Sequence, residues 1–177
     1  TNGLLHDATR IHCGALHWYE ENRTEAFNDE PYAKEVPGAD KKYLPMASGY
    51  SITTFLSWLE TADTLVGHNI IGFDIPVIKR IYPWFNPRGA ILDTLVLSRL
   101  YHPNLLDIDK KFNWKHMPLQ LYGSHSLEAY GYRLNEYKGN FAKTTDWKEW
   151  SQEMQDYCIQ DVVVTNKLCQ HFHPYLD

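Results

Sequence analysis

A carboxylate stands in the middle of the core-facing stripe of the last helix, and that placement constrains the chain more than any other feature. Taken as one helix, the terminal segment puts Trp147, Trp150, Met154, Cys158, Thr165, Leu168 and Phe172 on a common face. Asp161 lies at the centre of that face, and Tyr157 sits one turn before it, at an i,i+4 spacing that makes them neighbours. Burying a carboxylate is costly unless something pairs with it. Two partners satisfy that requirement: a basic side chain in a buried salt bridge, or a divalent cation such as magnesium or manganese held among several carboxylates. The helix alone leaves both open.

The rest of the chain alternates. Arg10 to Trp18 is rich in apolar residues and predicts a strand. Glu20 to Gly49 carries turn formers and three prolines, predicting a second strand or hairpin and then a long loop. Ser51 to Thr61 has helical spacing at Ile52, Phe55, Leu56 and Leu59. Thr64 to Gly67 predicts a short strand, Asp74 to Tyr82 a helix, and Ala90 to Leu92 a strand leading into a helix from Asp93 to Tyr101. Pro103 to Tyr122 has no clean periodicity and reads as an excursion between helices. Ser124 to Leu134 predicts a helix, and the last helix opens at Asp146-Trp147-Lys148-Glu149, a capping-box pattern, and runs with a break to about Phe172. Strands alternating with helices make the class α/β, and the 177 residues are expected to form one domain.

Composition narrows the function less than the fold. No run of about eighteen apolar residues predicts a membrane span. Three cysteines, Cys13, Cys158 and Cys169, form no CxxC pair and are odd in number, favouring a reducing compartment. A net charge of −5 argues against a stand-alone duplex-binding module. It does not argue against a nuclease that grips a few terminal nucleotides and takes its affinity from a neighbouring domain.

A second junction draws the eye: Gly67-His68-Asn69-Ile70-Ile71-Gly72-Phe73-Asp74, at a strand end and a helix start. Asp74 there is either a helix N-cap or a second metal ligand at the carboxyl end of a strand, where α/β sheets bind ligands. Asp93 has the same junction position and reads as a structural cap. His171 and His173 read as a frayed helix end, not a metal pair. Most of the tryptophans and tyrosines lie at helical spacings expected of a core. Lys110 to Lys115, with interleaved aromatics, is a candidate contact for a nucleic-acid strand.

Asn69 to Asp74 and Tyr157-Cys158-Ile159-Gln160-Asp161 together carry a resemblance. The chain resembles the DnaQ-like (RNase H-like) 3′→5′ exonucleases of the DEDD group, whose second motif is Asn-x2–3-Phe/Tyr-Asp and whose third is Tyr-x3-Asp or His-x4-Asp. The histidine form would need His where Asp156 stands, so the tyrosine subgroup is the match. Further stretches at 93–100, 123–134 and 160–165 look like the exonuclease domains of family A DNA polymerases from short-tailed phages. The resemblance implies an RNase H-like mixed sheet flanked by helices. The family's first motif, Asp-x-Glu-Thr-x-x-Leu, is represented here only by its tail, Thr1-Asn2-Gly3-Leu4, and Asp7 lies on the wrong side of the turn to substitute. The expectation is therefore a truncated central strand, with the natural protein carrying that strand and its Asp-x-Glu before Thr1. The chain by itself is expected to be inactive.

What the resemblance implies for chemistry is a two-metal hydrolysis with Mg²⁺ or Mn²⁺. Asp74 and Asp161 would be metal ligands. Tyr157 would orient the attacking water, Leu4 would wedge against the terminal base, and Thr1, Asn69 and Phe73 would line the terminal nucleotide. The implied partners are a single-stranded or frayed DNA 3′ end and a C-terminal polymerase domain of the same chain, with no membrane involved. The implied setting is the cytoplasm of a bacterial host, as a phage-encoded proofreading activity. A stand-alone exonuclease on RNA or DNA and a non-catalytic RNase H-like binding module are the alternatives.

Overall fold

In the computed structural model, residues 8–30, 50–136 and 149–176 are described. Chain order is β1 (Cys13–Trp18), β2 (Arg23–Asn28), α1 (Ile52–Thr61), β3 (Thr64–Gly67), α2 (Asp74–Ile81), β4 (Ala90–Asp93), α3 (Thr94–Tyr101), α4 (Leu105–Phe112), α5 (Leu127–Arg133) and α6 (Gln152–Phe172). The class is α/β, as the alternation predicts. β1 and β2 form an antiparallel hairpin with Gly14 opposite Phe27 and Ala15 opposite Ala26. β3 and β4 run parallel, with Gly67 opposite Asp93. These are two separate two-stranded sheets. Among the described residues no strand joins them, so β1 and β3 each keep one edge without a strand partner.

The two faces of the hairpin follow the period-two alternation of a strand. Leu16, Trp18 and Phe27 face α1, packing with Phe55, Leu56 and Leu59. Gly14 is required on this side, because a Cβ there would lie 2.9 Å from the Phe55 ring. Ala15 and Ala26 face the other way, onto Ile159 of α6. Small side chains at both positions let the helix lie close to the strands. α6 also touches β3, so one helix spans both sheets. Its buried Gln155 accepts from Asn28 Nδ2 (3.1 Å) and donates to the Gly14 carbonyl (3.1 Å), pinning helix to hairpin. Farther along, Val164, Leu168 and Phe172 pack with Leu97, Leu105 and Tyr130 in a second core.

Three expectations need correction. α6 is unbroken over 21 residues and starts at Gln152, with the Ser151 hydroxyl accepting from Met154 N–H. Asp146 to Lys148 lie outside the described residues, and Glu149 and Trp150 are not helical. Its end does not fray: a 3₁₀ turn, His173–Tyr175, continues it, and His171 Nε2 lies 2.8 Å from His102 Nε2. Finally, the supposed excursion at 103–122 contains α4. That helix buries only Leu105 and Asp109, a charged residue where an apolar one would have revealed the pattern.

Asp109 is fully buried and surrounded by donors: Arg133 Nε (2.9 Å) and Nη2 (2.7 Å), Trp114 Nε1 (2.9 Å) and the Gly123 N–H (2.7 Å). Burial alone would raise its carboxyl, but Arg133, Gly123 and Trp114 outweigh burial and hold it below the ordinary carboxylate range. A carboxyl depressed in the folded state stabilises above its unfolded value and loses that contribution as pH falls through the folded one. Arg133→Met leaves the buried carboxylate unpaired and is expected to destabilise the fold by about 3–5 kcal/mol at neutral pH. Urea unfolding monitored by tryptophan fluorescence measures the loss, which should shrink as the medium is acidified.

Candidate active site

Two strand ends, β3 and β4, lie side by side and each feeds a helix. β3 stops at Gly67 because the chain must turn sharply to reach α2. Asn69 takes the left-handed conformation (φ 62°), and its carbonyl accepts from both Gly72 N–H (3.1 Å) and Phe73 N–H (2.9 Å). A Cβ on Gly72 would lie 2.5 Å from the Asn69 side-chain oxygen, so a larger residue there would displace the Asn69 side chain. The turn delivers Asp74 to the first position of α2.

Asp93, at the end of β4, holds this turn in place. Its Oδ1 accepts from Asn69 N–H (2.9 Å) and Leu95 N–H (2.9 Å), and its Oδ2 from Ile71 N–H (3.2 Å). It is buried, and it does cap α3, as expected. The brace on the neighbouring junction is what sequence reasoning missed. Thr94 extends the brace, donating from Oγ1 to the Gly67 carbonyl (3.2 Å) while hydrogen-bonded to His68 Nδ1 (3.0 Å). Behind it, Ser98 Oγ meets His125 Nδ1 (2.6 Å) and the Tyr130 hydroxyl (2.5 Å).

Asp74 is not an N-cap: Phe73 occupies that position, without a side-chain cap hydrogen bond. Crowding by protein pushes the Asp74 carboxyl up, its own N–H pulls it down, and Asp93 repels it, leaving it at about 6. The side chain nevertheless stays open to solvent, as a group in the wall of a cleft would be. Across from it, on α6, Asp161 is raised to about 7, first by burial and then by Asp74, against a hydrogen bond from Tyr157 that lowers it. Tyr157 is itself raised to about 12 by burial, by Asp161 and by Glu128 of α5.

The structure thus brings together Asp74, Tyr157 and Asp161 from segments more than eighty residues apart. The salt-bridge reading of Asp161 fails: among the described residues it has no ion-pair partner, and its main electrostatic neighbour is another carboxylate. Asn69 and Phe73 shape the turn beside Asp74, Asn69 exposed and Phe73 half-buried. Thr1 and Leu4 lie outside the described residues. Among the described residues no group of three or more His, Cys, Asp or Glu side chains is gathered to hold a metal ion. Asp74 and Asp161 offer two carboxylates whose mutual repulsion a divalent cation would relieve. No helix among the described residues is long and apolar enough to cross a membrane.

No protein-family model matches the chain. It is 30% identical over 205 aligned residues to the DNA-directed DNA polymerase of Enterobacteria phage T3, covering 99% of this chain and 27% of that protein. The DNA-directed DNA polymerase of Escherichia phage T7 matches with the same identity and the same coverage. The chain therefore spans 27% of the length of the curated relatives it matches. Over its whole length it is similar to one section of a much longer phage polymerase.

Two acid-to-amide changes should act in opposite directions here. Asp93→Asn takes away one acceptor from three N–H donors and is expected to cost about 1–3 kcal/mol. Asp161→Asn should stabilise. A carboxyl raised in the folded state costs nothing while protonated, and its cost grows as pH rises toward the folded value near 7. Discounted for partial solvation, the expected gain is about 2 kcal/mol at pH 8, falling to nothing near pH 4. Denaturant midpoints of both variants at the two pH values test the pair.

Proposed function

We propose that this chain is the 3′→5′ exonuclease section of a DNA polymerase, which hydrolyses nucleotides one at a time from a single-stranded or frayed 3′ end. The observation that carries this reading is the Asp74–Asp161 pair. Asp74 raises Asp161 from a distant segment, and among the described residues neither carboxylate has a lysine or arginine partner. A chain under selection for stability alone sheds such a pair, whereas a site that binds divalent cations needs it. The whole-length likeness to one section of two phage polymerases favours an attached proofreading domain over a stand-alone exonuclease. The electrostatic cost favours a working site over a purely binding module. The setting that follows is an RNase H-like exonuclease domain beside a polymerase domain of the same natural chain, in a bacterial cytoplasm during phage DNA replication.

On this reading Asp74 and Asp161 hold Mg²⁺ or Mn²⁺. Bound there, the ions supply an activated water and stabilise the departing 3′ oxygen. The chain's own residues do the positioning. With its hydroxyl held at about 12, Tyr157 stays protonated at neutral pH. It therefore acts as a hydrogen-bond donor that orients Asp161 and the water, not as a base. Asp74 is presented at the first turn of α2, where the turn braced by Asp93 fixes its approach. Asn69 and Phe73 stand beside it to line the terminal nucleotide, with Thr1 and Leu4 assigned to the same nucleotide by resemblance. Selectivity for mispaired ends comes from their easier fraying, with no base reading required.

In the natural full-length protein, Asp161→Ala is expected to reduce Mg²⁺-dependent release of labelled 3′ nucleotides from a single strand by roughly a hundredfold or more. Primer extension with matched ends should persist. Digestion at near wild-type rate by that variant would overturn the assignment.

A further inference from the structure

Two helices, α3 and α6, end side by side. α3 stops at Tyr101, with the N–H of His102 donating to the Ser98 carbonyl (2.9 Å), and α6 carries His171 in its last turn. A helix end leaves carbonyl oxygens without intrahelical partners and holds the negative pole of the helix dipole, so it favours a cation. The two imidazoles meet between these ends, His102 Nε2 lying 2.8 Å from His171 Nε2. Sequence spacing offers His171 only its neighbour His173; the fold brings it a partner 69 positions earlier. The rings are walled in. His102 lies over Phe172 (centroids 5.3 Å, 35°) and edge-on to Tyr175 (5.7 Å, 88°), and His171 stands edge-on to Phe172 (5.0 Å, 75°). Phe172 is fully buried, and the Tyr101 hydroxyl ties Tyr175 to α3 by donating to its carbonyl (2.9 Å). His171 is exposed and His102 half-buried, so ions in solution reach the pair.

We infer that His102 and His171 bind a zinc-class divalent cation between their Nε2 atoms, clipping the end of α3 to the end of α6. A hydrogen bond alone is the plainer account, one ring donating and the other accepting. Between solvent-reached groups such a bond contributes little, since water serves either nitrogen nearly as well. Geometry favours the ion. A tetrahedral zinc with bonds of about 2.0–2.1 Å holds two ligand nitrogens about 3.3 Å apart and their ring centres about 5.2 Å apart. The ring centres of His102 and His171 are 5.1 Å apart, so the helix ends already have the spacing the ion requires. Only the rings need turn, parting the nitrogens by about half an ångström.

In the hydrogen-bonded pair one Nε2 carries the proton. On binding, that proton passes through solvent to Nδ1 of the same ring, and both Nε2 lone pairs face the ion. Burial holds both imidazoles below their ordinary value; at His102 the Tyr101 backbone opposes it and Arg133 adds to it, and at His171 the neighbouring His102 adds to it. Both rings are therefore neutral at neutral pH, the form that ligates a metal. Arg133 is itself paired with Asp109, which offsets its charge. Imidazole selects zinc, nickel and copper(II) over magnesium, which prefers oxygen ligands. Among the described residues no third His, Cys, Asp or Glu joins the pair, so water fills the remaining positions. Because the two ligands come together only in the folded chain, the bound ion stabilises the packing of α3 on α6.

The clip is independent of the reaction assigned to Asp74 and Asp161, and its test reads the two histidines directly. The natural full-length protein, kept in excess Mg²⁺, would be modified with diethyl pyrocarbonate with and without Zn²⁺, digested, and mapped residue by residue by mass spectrometry. Zinc is expected to slow modification of His102 and His171 together by roughly tenfold or more, with half-protection at roughly 1–100 µM, the range that two of a structural site's four ligands would supply. His102→Ala should abolish the zinc protection of His171, whereas His173→Ala should leave His102 and His171 protected. Protection that needs more than about 100 µM zinc would overturn the proposal. So would zinc protection of His171 that persists in His102→Ala. The wild-type footprint decides the matter even if a variant folds poorly.

Discussion

The site depends on one carboxylate that never needs to touch a substrate. Asp93 ends β4 and accepts three backbone N–H groups, one from its own helix start and two from the turn after β3. A turn that places Asn69 in the left-handed region leaves the N–H groups of Asn69 and Ile71 outside any helix or strand ladder, and each needs an acceptor. Asp93 satisfies them from the adjacent parallel strand. The register Gly67 opposite Asp93 is what puts acceptor and donors together. A slip of one residue in that ladder would turn the carboxylate to the other face and release the turn. The position of Asp74 is thus a consequence of strand pairing, carried through three hydrogen bonds.

Against that rigid frame the fold sets a local opposition. Crowding by protein raises both Asp74 and Asp161, with Asp93 adding to the first and Asp74 to the second. α6 holds Asp161 there because the helix is anchored on both sides, by Gln155 on the hairpin and by Leu168 and Phe172 in the second core. The helix cannot rotate to release the carboxylate without giving up one of those anchors. Stability is distributed accordingly: strong, satisfied polar contacts such as Asp109–Arg133 lie away from the site, and unsatisfied charge lies in it. That division separates the satisfied ion pair from the carboxylates of the candidate site.

What the sequence made legible follows from which forces are local. Helix positions and short strands were readable from local pattern, but caps only in part: Asp93 caps as read and Thr64 to Gly67 is a strand, whereas Phe73 precedes α2 in place of Asp74 and Ser151 caps α6. Asp161 and Tyr157 were readable as a misplaced acid with a neighbour one turn away. α4 was hidden because its buried face includes Asp109, whose partner Arg133 is 24 residues away. The brace by Asp93 was hidden for the same reason: a cap is written in adjacent residues, whereas a strand-to-strand contact is written in register. Periodicity also misjudged the width of the α6 interface. Ile159 and Val164 are buried off the predicted face because the helix packs against the hairpin on one side and α3 and α5 on the other.

Charge sets the last condition. The chain carries −5 overall, and its candidate site adds two carboxylates where an anionic strand would have to arrive. Such a surface repels a nucleic acid until cations enter, so affinity must come from elsewhere on the molecule or its neighbours. One region has the right character: Lys110 and Lys111 lie exposed on the last turn of α4, with Lys115 just beyond, and the exposed Phe112 ring stacks on Trp114 at 5.3 Å. Aromatic faces flanked by lysines suit unpaired bases and their phosphates. α4 is clamped to α5 through Asp109 and Arg133, and α5 carries the Glu128 that raises Tyr157. The same helix, α5, therefore connects the basic, aromatic surface to the carboxylates of the candidate site.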